Sequence, residues 1–344
     1  MNINKKLIDR IGRAFHKYDV HPDEVGRVLL DKVGFVERQN RAIDFINGVL
    51  TEHGKGHLLA YVTQLAAVES GIKQLDPRQR DHVVHAVRVF VLGIYLNEFF
   101  LGSNAVDPFQ WKIAGLTHDV GYPLQIASKV GAPFSDEMNK ISSDLGIDVP
   151  PVQYRAPRIE GLERLTSGID GLQLIGDQLG RWDVDIDAAE IYAQRTEGAM
   201  VCHGVISALA VLKIIDMLYA KENPKREHRD ILRGKVNWNQ QWFERDVVQA
   251  CTAIFLHNLE NFRFARTLVR ADRASVAFLL RLADTLQEWD RPSGKEPDGH
   301  SPDLFDIEVS GDKLVYTTGI AEGIKQGLRV TLDQTLADHN VRIE

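Results

Sequence analysis

Apolar residues along this chain recur at intervals of three and four, the period of helices that bury one face. Leu7, Ile8, Ile11 and Phe15, then Val25, Val28, Leu29 and Val33, trace two such stripes, and His21-Pro22-Asp23 and Gly54-Lys55-Gly56 punctuate them. Val83, Val84, Val87, Phe90, Val91 and Ile94 form a third, and further apolar helical runs cover residues 111–117, 199–210, 251–256 and 278–283. After Arg291-Pro292-Ser293-Gly294 and Glu296-Pro297-Asp298-Gly299 the period changes to two. Residues 305–309 and 313–318 alternate around Ser310-Gly311-Asp312, which predicts two strands and a turn, with residues 328–332 as a third strand. The pattern predicts a mainly α fold in three regions: a helical N-terminal layer over 1–75, a helical core over 76–300, and a small antiparallel β element over 301–344. An insertion over about 125–195 interrupts the core. Its part from 131 to 158 is rich in Gly, Pro, Ser and Asp, which predicts a long loop serving as a lid, a specificity insertion or an oligomer contact.

Composition narrows the setting. A hydrophobic fraction of 44% with 26% charged residues is ordinary for a globular chain, and no run is long enough to span a bilayer. The start Met1-Asn2-Ile3-Asn4-Lys5-Lys6 leads into no apolar signal core, and the two cysteines, Cys202 and Cys251, make no disulfide framework. A cytoplasmic, reduced location is expected, with no membrane partner. The net charge of −7 gives no sign of nucleic acid. Lys221, Lys225, Arg226, Arg229 and Arg233 cluster locally, but Glu222, Glu227 and Asp230 interleave with them, the mark of a solvated segment.

The chemistry lies in polar residues set inside the apolar runs: His85, the pair His118-Asp119, His203, His257 and Asp284. Imidazole and carboxylate are ligands for divalent iron, manganese, zinc or nickel, and a carboxylate can bridge two ions. Asp284 follows Phe278-Leu279-Leu280-Arg281-Leu282-Ala283, a stretch too apolar to bury an unpaired carboxylate cheaply. Gly121 and Pro123, just after His118-Asp119, predict the end of a helix and the opening of a loop. By spacing alone either His82 or His85 serves as the first ligand. His16, His21, His53, His57, His228, His300 and His339 sit among polar residues and are expected at the surface.

In this order, over roughly residues 76 to 300, the set resembles the HD-domain superfamily of metal-dependent phosphohydrolases, whose pattern runs His, His-Asp, His, His, Asp on a helical bundle. The resemblance favours His85 over His82, leaving His82 outside the ligand set or at the surface. It implies two divalent ions (Fe, Mn, Zn, Ni or Mg): one on His85, His118, Asp119 and Asp284, the other on Asp119, His203 and His257, with Asp119 bridging. The implied activity is hydrolysis of a phosphate ester, a nucleotide or nucleotide-derived compound, by a hydroxide shared between the ions and oriented by Asp119. Many members carry Gly-Lys after His-Asp; here Gly121 is followed by Tyr122. Arg88, Tyr122, Lys129 and Arg281 are candidates for contact with substrate by proximity in sequence, and Asn258 by its place after His257. The same six ligands also serve mixed-valent di-iron oxygenases of the superfamily, and a third reading is a nucleotide-sensing module. A homo-oligomer is compatible with all three.

Overall fold

The computed structural model describes residues 2–52, 54–75, 80–103, 105–146, 158–165, 168–197, 201–222, 243–259, 268–291 and 299–344. The fold is mainly α with a small C-terminal sheet. Four helices open the chain: α1 (Ile3–Ile11), α2 (Pro22–Leu29), α3 (Phe35–Glu52) and α4 (Leu59–Leu75). The core helices follow as α5 (His82–Phe99) and α6 (Pro108–Thr117), and the insertion supplies α7 (Tyr122–Leu145), α8 (Gly171–Arg181) and α9 (Ala188–Glu197). Then come α10 (His203–Glu222), α11 (Gln249–Leu256, entered through a wide π-type turn over Phe243–Val248) and α12 (Ser275–Leu286). The C-terminal element is β1 (Phe305–Ser310), β2 (Lys313–Thr318), α13 (Glu322–Thr335) and β3 (Val341–Ile343). No helix among the described residues is long and apolar enough to cross a membrane.

Helix α5 is the axis of the fold. Every residue from His82 to Asn97 is buried, so its apolar character runs all round the helix rather than along one stripe. It packs on α6 and α12, and α1, α3 and α4 form a layer against it from the N-terminal side. Asp81 caps it, accepting the Val84 N–H at 3.0 Å. Helix α11 packs between α10, α12 and α6, and α8 backs α10 and α11. The buried indole of Trp111 joins α6 to α5, donating to the Phe90 carbonyl at 2.9 Å.

Helix α7 corrects the expectation of a loop after residue 131. Pro123 falls at the start of a helix, where its missing N–H costs nothing. The helix continues through Pro133 and stops at Gly146, whose φ of 61° is the left-handed cap that glycine favours. The predicted opening after His118-Asp119 is therefore a tight turn over residues 118–121. The part of the expected loop from 147 to 157 lies outside the described residues, as do the basic cluster from Lys225 to Arg233, His53 and His228.

The sheet corrects two further expectations. β1 and β2 pair antiparallel from Phe305↔Thr318 to Ser310↔Lys313, but β3 joins β2 in parallel, so the sheet is mixed. Residues 328–332 belong to α13, where Leu328 and Leu332 bury one helical face four residues apart. A five-residue apolar alternation is too short to separate the two periods. The sheet closes over the end of α12: Tyr316 donates its hydroxyl to Leu286 O at 2.6 Å, and Trp289 Nε1 donates to Asn4 Oδ1 at 3.0 Å. His16, His21 and His57 are exposed, as expected. His300 is half-buried, and His339 keeps only 12% side-chain exposure, with its Nε2 3.0 Å from Asp333 of α13.

Candidate metal centre

Five helices deliver six donors to one place. His85 lies one turn into α5, His118 closes α6, Asp119 occupies the following turn, His203 opens α10, His257 closes α11, and Asp284 sits in the last turn of α12. Close backbone approach makes this possible. A Cβ on Gly121 would stand 2.8 Å from both His203 O and Ser207 N, so only glycine lets the Asp119 turn meet the start of α10. The Gly121 N–H donates there to Ser207 Oγ at 2.8 Å. A Cβ on Gly204 would stand 2.9 Å from the His257 ring.

The donors form two groups, each with ligand atoms within 4.8 Å of one another: His85, His118 and Asp284, and Asp119, His203 and His257. Asp119 faces both. Its Oδ2 lies 3.4 Å from His118 Nε2 and 3.8 Å from His85 Nε2, and its Oδ1 lies 3.1 Å from His203 Nε2 and 3.6 Å from His257 Nε2. Asp284 Oδ1 lies 2.9 Å from His85 Nε2 and 4.0 Å from His118 Nε2. Asp284 keeps 27% side-chain exposure and His203 12%, whereas His85, His118 and His257 are closed off, so the centre opens beside Asp284 and His203.

Every imidazole has its Nδ1 committed to an oxygen behind it. His85 Nδ1 meets Gln287 Oε1, His203 Nδ1 meets Gln125 Oε1 at 2.6 Å, and His118 and His257 donate to Gly115 O at 3.1 Å and Ile254 O at 2.6 Å. With the proton on Nδ1, the Nε2 of a neutral imidazole presents a lone pair to the centre. His203 Nε2 and His257 Nε2 then stand 3.1 Å apart, and buried His118 Nε2 has no hydrogen-bond partner among the described residues. Burial pushes His118 down to about 4, so no proton fills that position near neutral pH. Burial also lowers His203; on His257 it is outweighed by Asp119 and Asp284, which raise it. Burial opposes ionisation of Asp119, yet His118, His203 and His257 hold its carboxyl well below the usual range. Asp284 is likewise lowered against its burial, chiefly by His85. Lone pairs converging on a buried and a half-buried carboxylate suit cations, and this His/Asp group can hold metal ions.

The residues named as substrate contacts go to different places. Arg88 is buried, 2.5 Å from Asp290, and Arg281 donates at 2.5 Å to Leu256 O, the carbonyl just before His257. Tyr122 stacks on His82 with ring centroids 3.6 Å apart and meets the His203 ring edge-on at 5.5 Å. The Asn258 amide lies 3.2 Å from His203 Nδ1. Lys129 is exposed on α7, about 10 Å of helix beyond Tyr122. His82 is buried behind the donors, where Glu69 Oε1 takes its N–H at 2.9 Å and meets its Nδ1. Burial raises the Glu69 carboxyl to about 8.

The sequence reading missed Gln125, Gln287 and Glu69. Neutral amides carry no signal of their own, although Gln287 lies one turn beyond Asp284. Gln287 also donates Nε2 to Asp290 Oδ1 at 2.7 Å, and its Oε1 accepts from Arg80 Nη2, so its amide is fixed from both sides. Removing such a partner costs 10- to 100-fold in metal affinity as an order of magnitude. A Gln287→Leu chain is therefore expected to bind manganese roughly tenfold or more weakly with unchanged helicity, by competition with a chelating dye and circular dichroism. No protein-family model, no curated protein and no solved structure matches the chain.

Proposed function

We propose that this chain is a two-metal phosphohydrolase of the HD-domain type that cleaves a phosphate ester of a nucleotide or nucleotide-derived compound. The observation that carries the reading is Asp119, which turns one oxygen to each group of imidazoles. His85, His118, Asp284 and Asp119 Oδ2 would hold one divalent cation, and His203, His257 and Asp119 Oδ1 the other. Four imidazoles to two carboxylates is a nitrogen-rich set that suits manganese, iron, nickel or zinc better than magnesium. When bound, such a pair acidifies water and neutralises charge on a phosphoryl group.

The protein's own part is positioning. Asp119 stays ionised despite its burial, so it can accept a hydrogen bond from the attacking water and orient it. Asp284 and His203 line the opening, the side from which a substrate approaches. Tyr122, where the resemblance places a lysine, brings no positive charge and stacks its ring on His82. That favours phosphate charge being carried by the cations alone.

The test is release of phosphate or nucleoside from mononucleotides, dinucleotides and cyclic nucleotides by the manganese-loaded protein, beside the same protein stripped with a chelator. Turnover of at least one class, lost on stripping and restored by manganese, is the expected result. A protein shown to be fully loaded that turns over nothing, and consumes oxygen in its iron form, would overturn the hydrolase in favour of an oxygenase.

A further inference from the structure

Two imidazoles of this region are held from behind in the same way, and the group that holds them differs. His203 opens α10, and its own N–H and its Nδ1 both meet Gln125 Oε1, at 3.0 and 2.6 Å. His82 opens α5, and its own N–H, at 2.9 Å, and its Nδ1 both meet Glu69 Oε1. An amide oxygen only accepts, so His203 must carry its proton on Nδ1 and turn a lone pair inward. A carboxyl can carry the proton itself.

Glu69 is wholly buried, and burial raises its carboxyl to about 8, so near neutral pH the Glu69–His82 pair keeps the proton that a solvated carboxylate would release. Glu69 Oε2 has no hydrogen-bond partner among the described residues, and a proton there would be a buried donor without an acceptor. The proton therefore belongs on the contact between Oε1 and Nδ1. On either of those atoms it leaves the pair's second proton on His82 Nε2.

The His82 ring adjoins both metal groups. It lies 6.3 Å from the His85 ring and stacks on Tyr122 at 3.6 Å, and Tyr122 meets the His203 ring at 5.5 Å, so the four rings run from one group to the other. Burial lowers the pKa of His82, and of the charges around it Asp119 opposes this most. Its side chain keeps 9% exposure, close to the 12% of His203 at the opening.

We propose that His82 is a substrate contact whose Nε2–H donates a hydrogen bond to a phosphoryl oxygen lying against the metal groups, and that Glu69 is the positioning residue that keeps the proton on that nitrogen. Tyr122 stands where the resemblance places a lysine, and His82, stacked on it, supplies a donor without a charge. The inference rests on the phosphohydrolase reading, but its test reads a proton position and phosphate binding rather than turnover.

Wild type, Glu69→Gln and His82→Ala are compared, each loaded with zinc. Glu69→Gln keeps the shape, and the His82 N–H pins the new amide oxygen as that of His203 pins Gln125, which moves the ring proton to Nδ1. Nitrogen-15 spectra of histidine-labelled protein, with His82 assigned by its loss in His82→Ala, should show Nε2 protonated in the wild type and bare in Glu69→Gln. Inorganic phosphate, titrated by calorimetry, should bind roughly tenfold more weakly to both variants. Metal content should be unchanged in both, and Glu69→Gln should melt at or above the wild-type temperature because it removes a buried carboxyl. A bare His82 Nε2 in the wild type, phosphate affinity unchanged in Glu69→Gln, or metal lost from His82→Ala would overturn the proposal alone. A loaded wild type that binds no phosphate would overturn it together with the hydrolase.

Discussion

An Asp119→Ala chain is expected to lose the second metal ion outright, to hold the first weakly, and to lose hydrolysis by a factor of about 1,000 or more, close to 4 kcal/mol of barrier. The substitution leaves His203 and His257 as two neutral imidazoles with Nε2 atoms 3.1 Å apart and no carboxylate between them. Two nitrogens do not hold a divalent ion against water at micromolar concentration. His85, His118 and Asp284 still form a three-donor group, but without the Asp119 oxygen 3.4 Å from His118 Nε2. Metal counted per chain after gel filtration, beside the rate on the best substrate, reads both effects. Two ions retained in this variant would mean that Asp119 does not join the groups.

The second large effect is on stability. In Gly93→Ala the new Cβ would stand 1.8 Å from Trp111 Cζ2 and 2.4 Å from Cε2, with the indole buried and so close to Gly115 that a Cβ there too would come within 3.1 Å of the ring. The ring has nowhere to go, because its Nε1 is tied to Phe90 O. Helices α5 and α6 must separate, at a cost of roughly 3 kcal/mol or more. These two helices carry His85 and His118, so metal affinity should fall with the melting temperature. Gly93→Ala combined with Trp111→Phe removes the obstructing ring and should recover part of the loss in a thermal scan. Equal melting of Gly93→Ala and wild type would show that the two helices are not locked by this contact.

The two clearest features of the sequence were the polar residues inside apolar runs and the change of period near residue 300. Both have a physical basis visible in one dimension: His85 and Asp284 are costly where they stand unless they meet partners, and Phe305, Ile307, Leu314 and Tyr316 alternate because one face of the sheet is buried. What was not legible depended on context. Gly131, Pro133 and the serines read as a loop, yet proline disrupts a helix locally and glycine only weakens it, so α7 runs through them. Residues 328–332 suit either period until the rest of α13 is counted. Gln287 and Gln125, which fix two of the imidazoles, were invisible because an uncharged amide gains its meaning only from the atom it faces. Arg88 and Arg281 show the converse: a cation near a ligand in sequence can be committed to Asp290 or to a helix carbonyl.

The central claim is that Asp119 joins two metal ions. Manganese-loaded wild type, examined by paramagnetic resonance with metal counted on the same sample, tests it most directly. Two manganese ions per chain with an exchange-coupled signal, replaced by an uncoupled signal in Asp119→Ala, is the predicted result. One ion per chain, or two that are uncoupled in the wild type, would contradict it.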